Sequence, residues 1–514
     1  MVDMIFPREC LSATLALVVG PVNPEWIPLS SEPRQRINNF KESAMKLKHI
    51  PLALVASCLL TVSAMAKQVP SFDEDDLKVA AQLRDQALKS SLDYDIVESL
   101  TTEVGPRMAG TPGDAAAVKW GVAKLEELGF DKVWTEPVTF PTWKRGVETA
   151  EVVSPYPQPL VITALGFSVG TSKDGLAAEI IQFDDLEALS KAPENAADGK
   201  IVFIKNRMER ARDGSGYGPA VAARGQGASE AAKKGAVGIL IRSIGTDTDR
   251  MAHTGVMRYE EGIEKIPAAA LSAPDADLLE NMIRRGKPVT VKMTIGAKNG
   301  EEYTSQNVIG EITGSEKPEE YVIIGAHLDS WDLGTGALDD GAGIGITTAA
   351  AKLIMGLPER PKRSIRVIMF ANEEQGLVGG KAYAEAHKDN IKNIITAAES
   401  DFGAGKIWRI DSKVKEDALP AVKQMAKLME PLGIAYGNNQ AGGGPDLIPL
   451  RGKGISVFSL RQDGMDYFDY HHTPNDTLDK IDPEALRQNT AAYVIFAYLS
   501  AQMNGDFGTG FHQK

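Results

Sequence analysis

Cysteine is almost missing from this chain. Cys10 and Cys58 are its only two in 514 residues, and both lie near the N-terminus. From residue 67 onward there is no disulfide and no thiolate nucleophile. Any metal bound there must be held by His, Asp and Glu. Basic residues are outnumbered, 56 Lys and Arg against 69 Asp and Glu, for a formal charge of −13. That balance argues against nucleic acid or an anionic membrane as partner. Internal repeats and low-complexity tracts are also missing. The apolar run Ile50 to Val62 is too short for a comfortable membrane span, so no stable membrane insertion is expected. What remains is an ordinary globular composition, 43% hydrophobic and 24% charged. The chain is too long for one ordinary core, so two folded units are expected.

The N-terminus reads as a leader. Met45-Lys46-Leu47-Lys48 is a positive start, Ile50 to Val62 an apolar centre, and Ala64-Met65-Ala66 a small-residue cleavage site. Together they form a secretory signal peptide over 45–66, cut after Ala66, which predicts an exported chain, periplasmic or secreted, beginning at Lys67. Residues 1–44 then read as a non-native leader or a mis-called start. A lipoprotein signal ending at Cys58 is the rival reading; the apolar run continues past Cys58 and a cleavage site follows it, which weighs against that.

Residues 73–100 carry apolar residues at helical spacing. A turn-rich loop, Gly105 to Gly113, precedes a predicted helix over 114–128 and a strand over 132–140. A second unit is expected over 152–296, with short strands at 178–183, 200–205, 237–242 and 289–295 and helices near 220–234 and 274–285. It holds a single histidine, His253, read as structural or solvated, and no chemistry is assigned to it. The flanking segments, 67–151 and 297–514, form the other unit. From Ser305 strands and helices alternate, which predicts an α/β fold: a mostly parallel mixed sheet with helices on both faces.

Four predicted strands in that region end on polar groups. The run Tyr321 to Ala326 ends at His327, with Asp329 two residues on and Asp339-Asp340-Gly341-Ala342-Gly343 beyond a glycine-rich loop. The strand over 363–371 runs into Glu373-Glu374, that over 394–399 into Asp401, and that over 455–460 into a loop holding His471-His472. Each piece alone has a plainer reading as a helix cap, a turn or a surface histidine. Parallel strands bring their carboxyl ends to one edge, where ligand sites form. The set supplies two histidines and at least three carboxylates without a thiol, which suits two zinc ions sharing a bridging carboxylate. It leaves one glutamate free as a general base.

With these motifs, and with His472-Thr473-Pro474-Asn475-Asp476-Thr477, the sequence resembles the two-zinc aminopeptidase and glutamate carboxypeptidase-like metallopeptidase family. Within it the resemblance is to the carboxypeptidase Q (plasma glutamate carboxypeptidase) branch and its bacterial relatives, over about residues 73–505. The resemblance implies a zinc-exopeptidase type of fold, with 152–296 as an inserted protease-associated domain that lids the site. It implies that Asp339 bridges two zinc ions, with His327 and Asp401 completing one and Glu374 and His472 the other. Glu373 would be the general base, Asp329 would orient His327, and the Asp339–Asp340 peptide bond would be cis. Many relatives carry a tyrosine immediately before the last histidine ligand; here His471 stands there, as a candidate oxyanion donor.

The expected function is therefore a zinc exopeptidase for dipeptides or short peptides. Arg207, Arg210 and Arg212 of the inserted unit are candidate contacts for a peptide carboxylate, or else part of a solvated loop face. Three other readings stay open: a broad aminopeptidase on longer peptides, a non-catalytic binding module of the same fold, and a one-zinc acyl transferase of the glutaminyl cyclase type. A homodimer is compatible with the sequence.

Overall fold

In the computed structural model, residues 69–508 are described. The expected signal peptide, the rival site at Cys58 and the start at Lys67 fall outside them. Among the described residues no helix is long and apolar enough to cross a membrane. The helical stretch expected over 73–100 is two helices, Glu74–Ala87 and Leu92–Glu103. The break falls at a polar pair, where Ser90 Oγ accepts the Leu92 N–H.

Among the described residues, sixteen strands form two sheets of eight. β1 (Lys132–Lys144) belongs to the first sheet. The chain then builds the second sheet: β2 (Glu148–Ser154), β3 (Gln158–Leu160), β4 (Ile162–Ala164), β5 (Leu176–Phe183), β6 (Ile201–Ile204), β7 (Gly238–Arg242), β8 (Ala268–Leu271) and β9 (Thr290–Ile295). It returns to the first through β10 (Lys298–Ile312), β11 (Lys317–His327), β12 (Arg363–Phe370), β13 (Ile394–Glu399), β14 (Ile407–Lys413), β15 (Ala435–Tyr436) and β16 (Val457–Gln462). The second unit is thus inserted between two strands of the first sheet.

The first sheet runs β1-β10-β12-β11-β13-β16-β14-β15. Its centre, β12-β11-β13-β16, is parallel throughout. β10 joins antiparallel on one side and β14 on the other, so the sheet is mixed. The central strands are mostly apolar because both faces are covered, with Arg366 interrupting β12 and Ser459 and Arg461 interrupting β16. Val322 and Ile324 of β11 face the helices Ala342–Met355 and Pro483–Gln502, and Tyr321 and Ile323 face Tyr383 and Leu447 on the other side. All four parallel strands point their carboxyl ends at one edge, and every motif named above follows one of those ends.

The second unit is bound to that edge. Thr246 N donates to Phe468 O, Thr254 N to His472 O, and Gly464 N to Arg212 O. The buried Arg145 donates to both carboxylate oxygens of Asp332. The three arginines offered as peptide-carboxylate contacts are held by carboxylates of the protein itself. Arg207 pairs with Asp277, Arg210 with Asp469 at 2.6 Å, and Arg212 with Asp463 at 2.8 Å. Arg210 and Arg212 thereby tie the inserted unit to the loop ahead of His471.

Candidate metal centre

His327 is the last residue of β11 and is fully buried. Its Nδ1 lies 2.9 Å from the carbonyl oxygen of Asp329, which can only accept, so the proton belongs on Nδ1. Nε2 then presents a lone pair. It faces Asp339 Oδ1 at 3.1 Å and Asp401 Oδ1 at 3.7 Å. Asp329 thus contacts the ring chiefly through its backbone, its carboxylate being 3.7 Å from Nδ1. That carboxylate accepts the N–H of Glu373 instead, at 2.9 Å.

Asp339 sits between two histidines. Its other oxygen, Oδ2, is 3.4 Å from His472 Nε2 and 3.8 Å from His471 Nε2. The peptide bond to Asp340 is cis, as the resemblance implies. The loop carrying Asp339 is fixed from three sides. Asp476 accepts from the N–H groups of Leu338 (2.6 Å) and Asp339 (3.2 Å). Arg107, which has no exposed surface, donates to the carbonyl oxygens of Leu328, Thr335 and Gly336 at 2.5, 2.6 and 2.8 Å. Asp340 accepts from His327 N and Gly343 N. Position 343 must be glycine, because a Cβ there would lie 2.0 Å from Ser400 O.

His472 has a left-handed backbone, with φ of 62°, and its ring stacks on that of His471 at a centroid distance of 3.4 Å. Its Nδ1 faces the Thr254 carbonyl oxygen of the inserted unit at 3.2 Å, which again leaves Nε2 as a lone pair. That lone pair meets Glu374 Oε2 at 2.9 Å. Glu373, the preceding residue, lies outside both groups of candidate ligands.

The donor set can be tested for a cation on these contacts. His327–Asp339–Asp401 and Asp339–His471–His472 each bring their ligand atoms within 4.8 Å of one another. In both groups, ring nitrogens point at carboxylate oxygens, an arrangement that needs a proton or a metal cation between them. Asp339 Oδ2 and Glu374 Oε1 are buried with no hydrogen-bond partner. The residues therefore fit metal ions, and Asp339 offers one oxygen to each group. His471 falls among the candidate ligands here and Glu374 does not, whereas the sequence pointed to Glu374 as a ligand and to His471 only as a donor; Glu374 reaches the site through its contact with His472.

Ionisation follows the same logic. Where no cation lies between them, His327 Nε2 takes a second proton: burial opposes charge on Asp339, but the hydrogen bond from that protonated ring and the nearby His472 outweigh it and hold the carboxyl below its usual range. Burial also works against a proton on His327, yet the carboxylates of Asp329, Asp339 and Asp401 overcome it and raise the imidazole well above normal. Burial pushes Glu373 and Glu374 well up, reinforced by Asp401 for the first and Asp339 for the second. It pushes His471 and His472 well down, keeping both rings neutral and able to ligate.

A cavity of about 340 Å³ opens onto this edge. Glu373, Glu374, Asp339, Asp401 and both histidines line it. So do Tyr467 and, from the inserted unit, Tyr217, Arg224 and Arg258, none of which the sequence singled out. Tyr467 could have been found, since it precedes His471 by one helical turn and its ring packs against that imidazole at 5.1 Å. Nothing local links Tyr217 to histidines some 250 residues away.

Residues 307–497 match the family model Peptidase family M28. Carboxypeptidase Q of Mus musculus is 34% identical over 433 residues, covering 84% of this chain and 90% of that protein. Among solved structures, a peptidase M28 precursor from Shewanella amazonensis is 57% identical, with a TM-score of 0.84 over 85% of this chain and 98% of that one. BSAP, a zinc aminopeptidase from Bacillus subtilis, is 19% identical with a TM-score of 0.58 over 81% of this chain and 98% of that one, a likeness of fold alone.

Proposed function

The chain belongs to peptidase family M28 and is a metallo-exopeptidase, and from that premise we propose that it is an exported, two-zinc enzyme hydrolysing dipeptides and short peptides. The observation that carries this reading is Asp339, with one oxygen toward His327 and Asp401 and the other toward His472. A one-zinc transferase would have no use for that second arm, and a non-catalytic module would have no use for either. Asp339 would bridge two zinc ions, with His327 and Asp401 holding one and Glu374 with His472 the other; His471 stands beside the second.

Zinc bound there would acidify a water molecule and polarise the peptide carbonyl. Glu373 is the general base: it lines the cavity and, unlike Glu374 with its 2.9 Å contact to His472 Nε2, is paired with no histidine among the described residues; it takes a proton from the attacking water and passes it to the leaving amine. Asp329 positions it by accepting its N–H. His471 is offered as a further donor to the carbonyl oxygen. Residues 152–296 act as a protease-associated lid, supported by the contacts of Thr246 and Thr254 and by the side chains they bring to the cavity wall. A cavity of about 340 Å³ takes a dipeptide and not a folded chain.

The test is a series of peptides of increasing length with one common N-terminal residue. Turnover is expected to fall steeply beyond two or three residues. A flat profile would contradict the lid and favour an aminopeptidase acting on longer peptides.

A further inference from the structure

Arg224 is a buried cation with nothing to neutralise it. Only 6% of its surface is exposed. Of the other deeply buried arginines, Arg145, Arg242 and Arg363 each hold a carboxylate, Asp332, Glu280 and Glu320 respectively, and Arg107 spends its donors on three backbone carbonyl oxygens. Arg224 pairs with no carboxylate among the described residues, and its Nε has no acceptor at all. Buried charges are ordinarily paired, because desolvation costs several kcal/mol per ion. A guanidinium kept unpaired on the wall of a cavity otherwise crowded with carboxylates is set for negative charge that arrives there.

What Arg224 does touch is neutral: the Thr254 carbonyl oxygen, 3.4 Å from Nη1, and Tyr217. Tyr217 and Arg224 lie two turns apart on the helix Tyr217–Lys233. Arg224 Nη2 donates to the Tyr217 hydroxyl oxygen at 2.5 Å. Arginine has no acceptor, so the phenol oxygen accepts here and its own hydrogen points elsewhere. That hydrogen has no acceptor among the described residues. The ring is fixed by stacking on Phe468, at 5.1 Å and 23°, and by its edge contact with His471, at 5.5 Å and 89°. Tyr217 lines the same cavity as Glu373, Glu374 and His471.

We propose that Tyr217, backed by Arg224, donates the hydrogen bond that holds the scissile carbonyl oxygen as it becomes negatively charged. The assignment rests on the peptidase reading above. Water oxygen bonds to the carbonyl carbon while Glu373 takes one water proton, and the C=O π pair moves onto the carbonyl oxygen. Tyr217 keeps its proton and shares it in the hydrogen bond. The pair then re-forms C=O as the C–N bond breaks, and the nitrogen leaves with the proton from Glu373. Tyr217 is thus a catalytic residue supplied by the inserted unit. Arg224 is a positioning residue that orients and polarises the phenol.

Tyr217→Phe removes one oxygen and leaves the stacking. It should lower kcat about 10²–10³-fold, the usual loss for one such donor, with KM and zinc content unchanged. The loss should be equal on a dipeptide and on an aminoacyl anilide without a carboxylate. Binding of a phosphinic dipeptide isostere, read by calorimetry, should weaken by a similar factor. Arg224→Met should lower kcat in the unaltered enzyme and add nothing further in the Tyr217→Phe background, where a merely structural role would add. Unchanged kcat in Tyr217→Phe would overturn the assignment. So would a loss confined to KM on substrates with a carboxylate, since the phenol would then read the peptide terminus. No hydrolysis by the unaltered enzyme would overturn the peptidase reading itself, and this assignment with it.

Discussion

The carboxylate of Asp329 accepts the backbone N–H of Glu373 at 2.9 Å, so the residue two positions after His327 fixes the residue proposed as the base. The Asp329 carbonyl oxygen meanwhile orients His327. One residue thereby aligns the ends of β11 and β12 by two different groups. Asp329→Ala removes only the carboxylate contact. Activity should fall about 10–100-fold, the usual effect of losing a supporting hydrogen bond around a metal site. Zinc content should hold, because the carbonyl contact to His327 survives. Elemental analysis beside kcat checks this; loss of zinc would mean that the carboxylate is what aligns His327.

Glu373 and Glu374 are neighbours with opposite assignments. Glu373→Gln should keep its metal and lose about 10²–10⁴-fold in kcat. Glu374→Gln should lose zinc first and activity as a consequence, so added zinc should restore part of it. Metal titration of the two purified variants separates them, and reversed phenotypes would exchange the roles.

Arg107 is expected to matter for stability more than for chemistry. It satisfies three buried carbonyl groups in the loop from His327 to Gly336. Arg107→Met should cost about 3 kcal/mol or more, since each buried acceptor left bare costs roughly 1–3 kcal/mol. The denaturant midpoint should fall at constant slope. An unchanged midpoint would show that the loop is held by Asp476 alone.

Much of this was legible in the sequence, for a physical reason. Strands buried on both faces read as mostly apolar runs, and β11, β12, β13 and β16 are such strands. The residues after each run, His327, Glu373, Asp401 and His472, were therefore visible as strand ends, and parallel order brings them together. The edges of the sheet were harder. β10 begins Lys298-Asn299-Gly300-Glu301-Glu302, exposed and polar, and owes its strand to pairing with β1. β14, Ile407-Trp408-Arg409-Ile410-Asp411-Ser412-Lys413, is largely polar without clean alternation and pairs antiparallel with β16. Contacts across the two units left no local trace. His253 was expected to be structural or solvated, and it is the former: it is buried, its Nδ1 2.7 Å from His471 O and its Nε2 2.7 Å from Asp247. Arg210 and Arg212 looked like substrate contacts because their partners, Asp469 and Asp463, lie some 250 residues away.

The central claim is that Asp339 bridges two zinc ions in a working peptidase. The most direct measurement is the metal content of the purified chain, followed by dipeptide hydrolysis during chelation and re-addition of zinc. Two zinc ions per chain are expected, with activity lost on chelation and recovered with zinc. A metal-free protein that hydrolyses dipeptides at full rate would contradict the account.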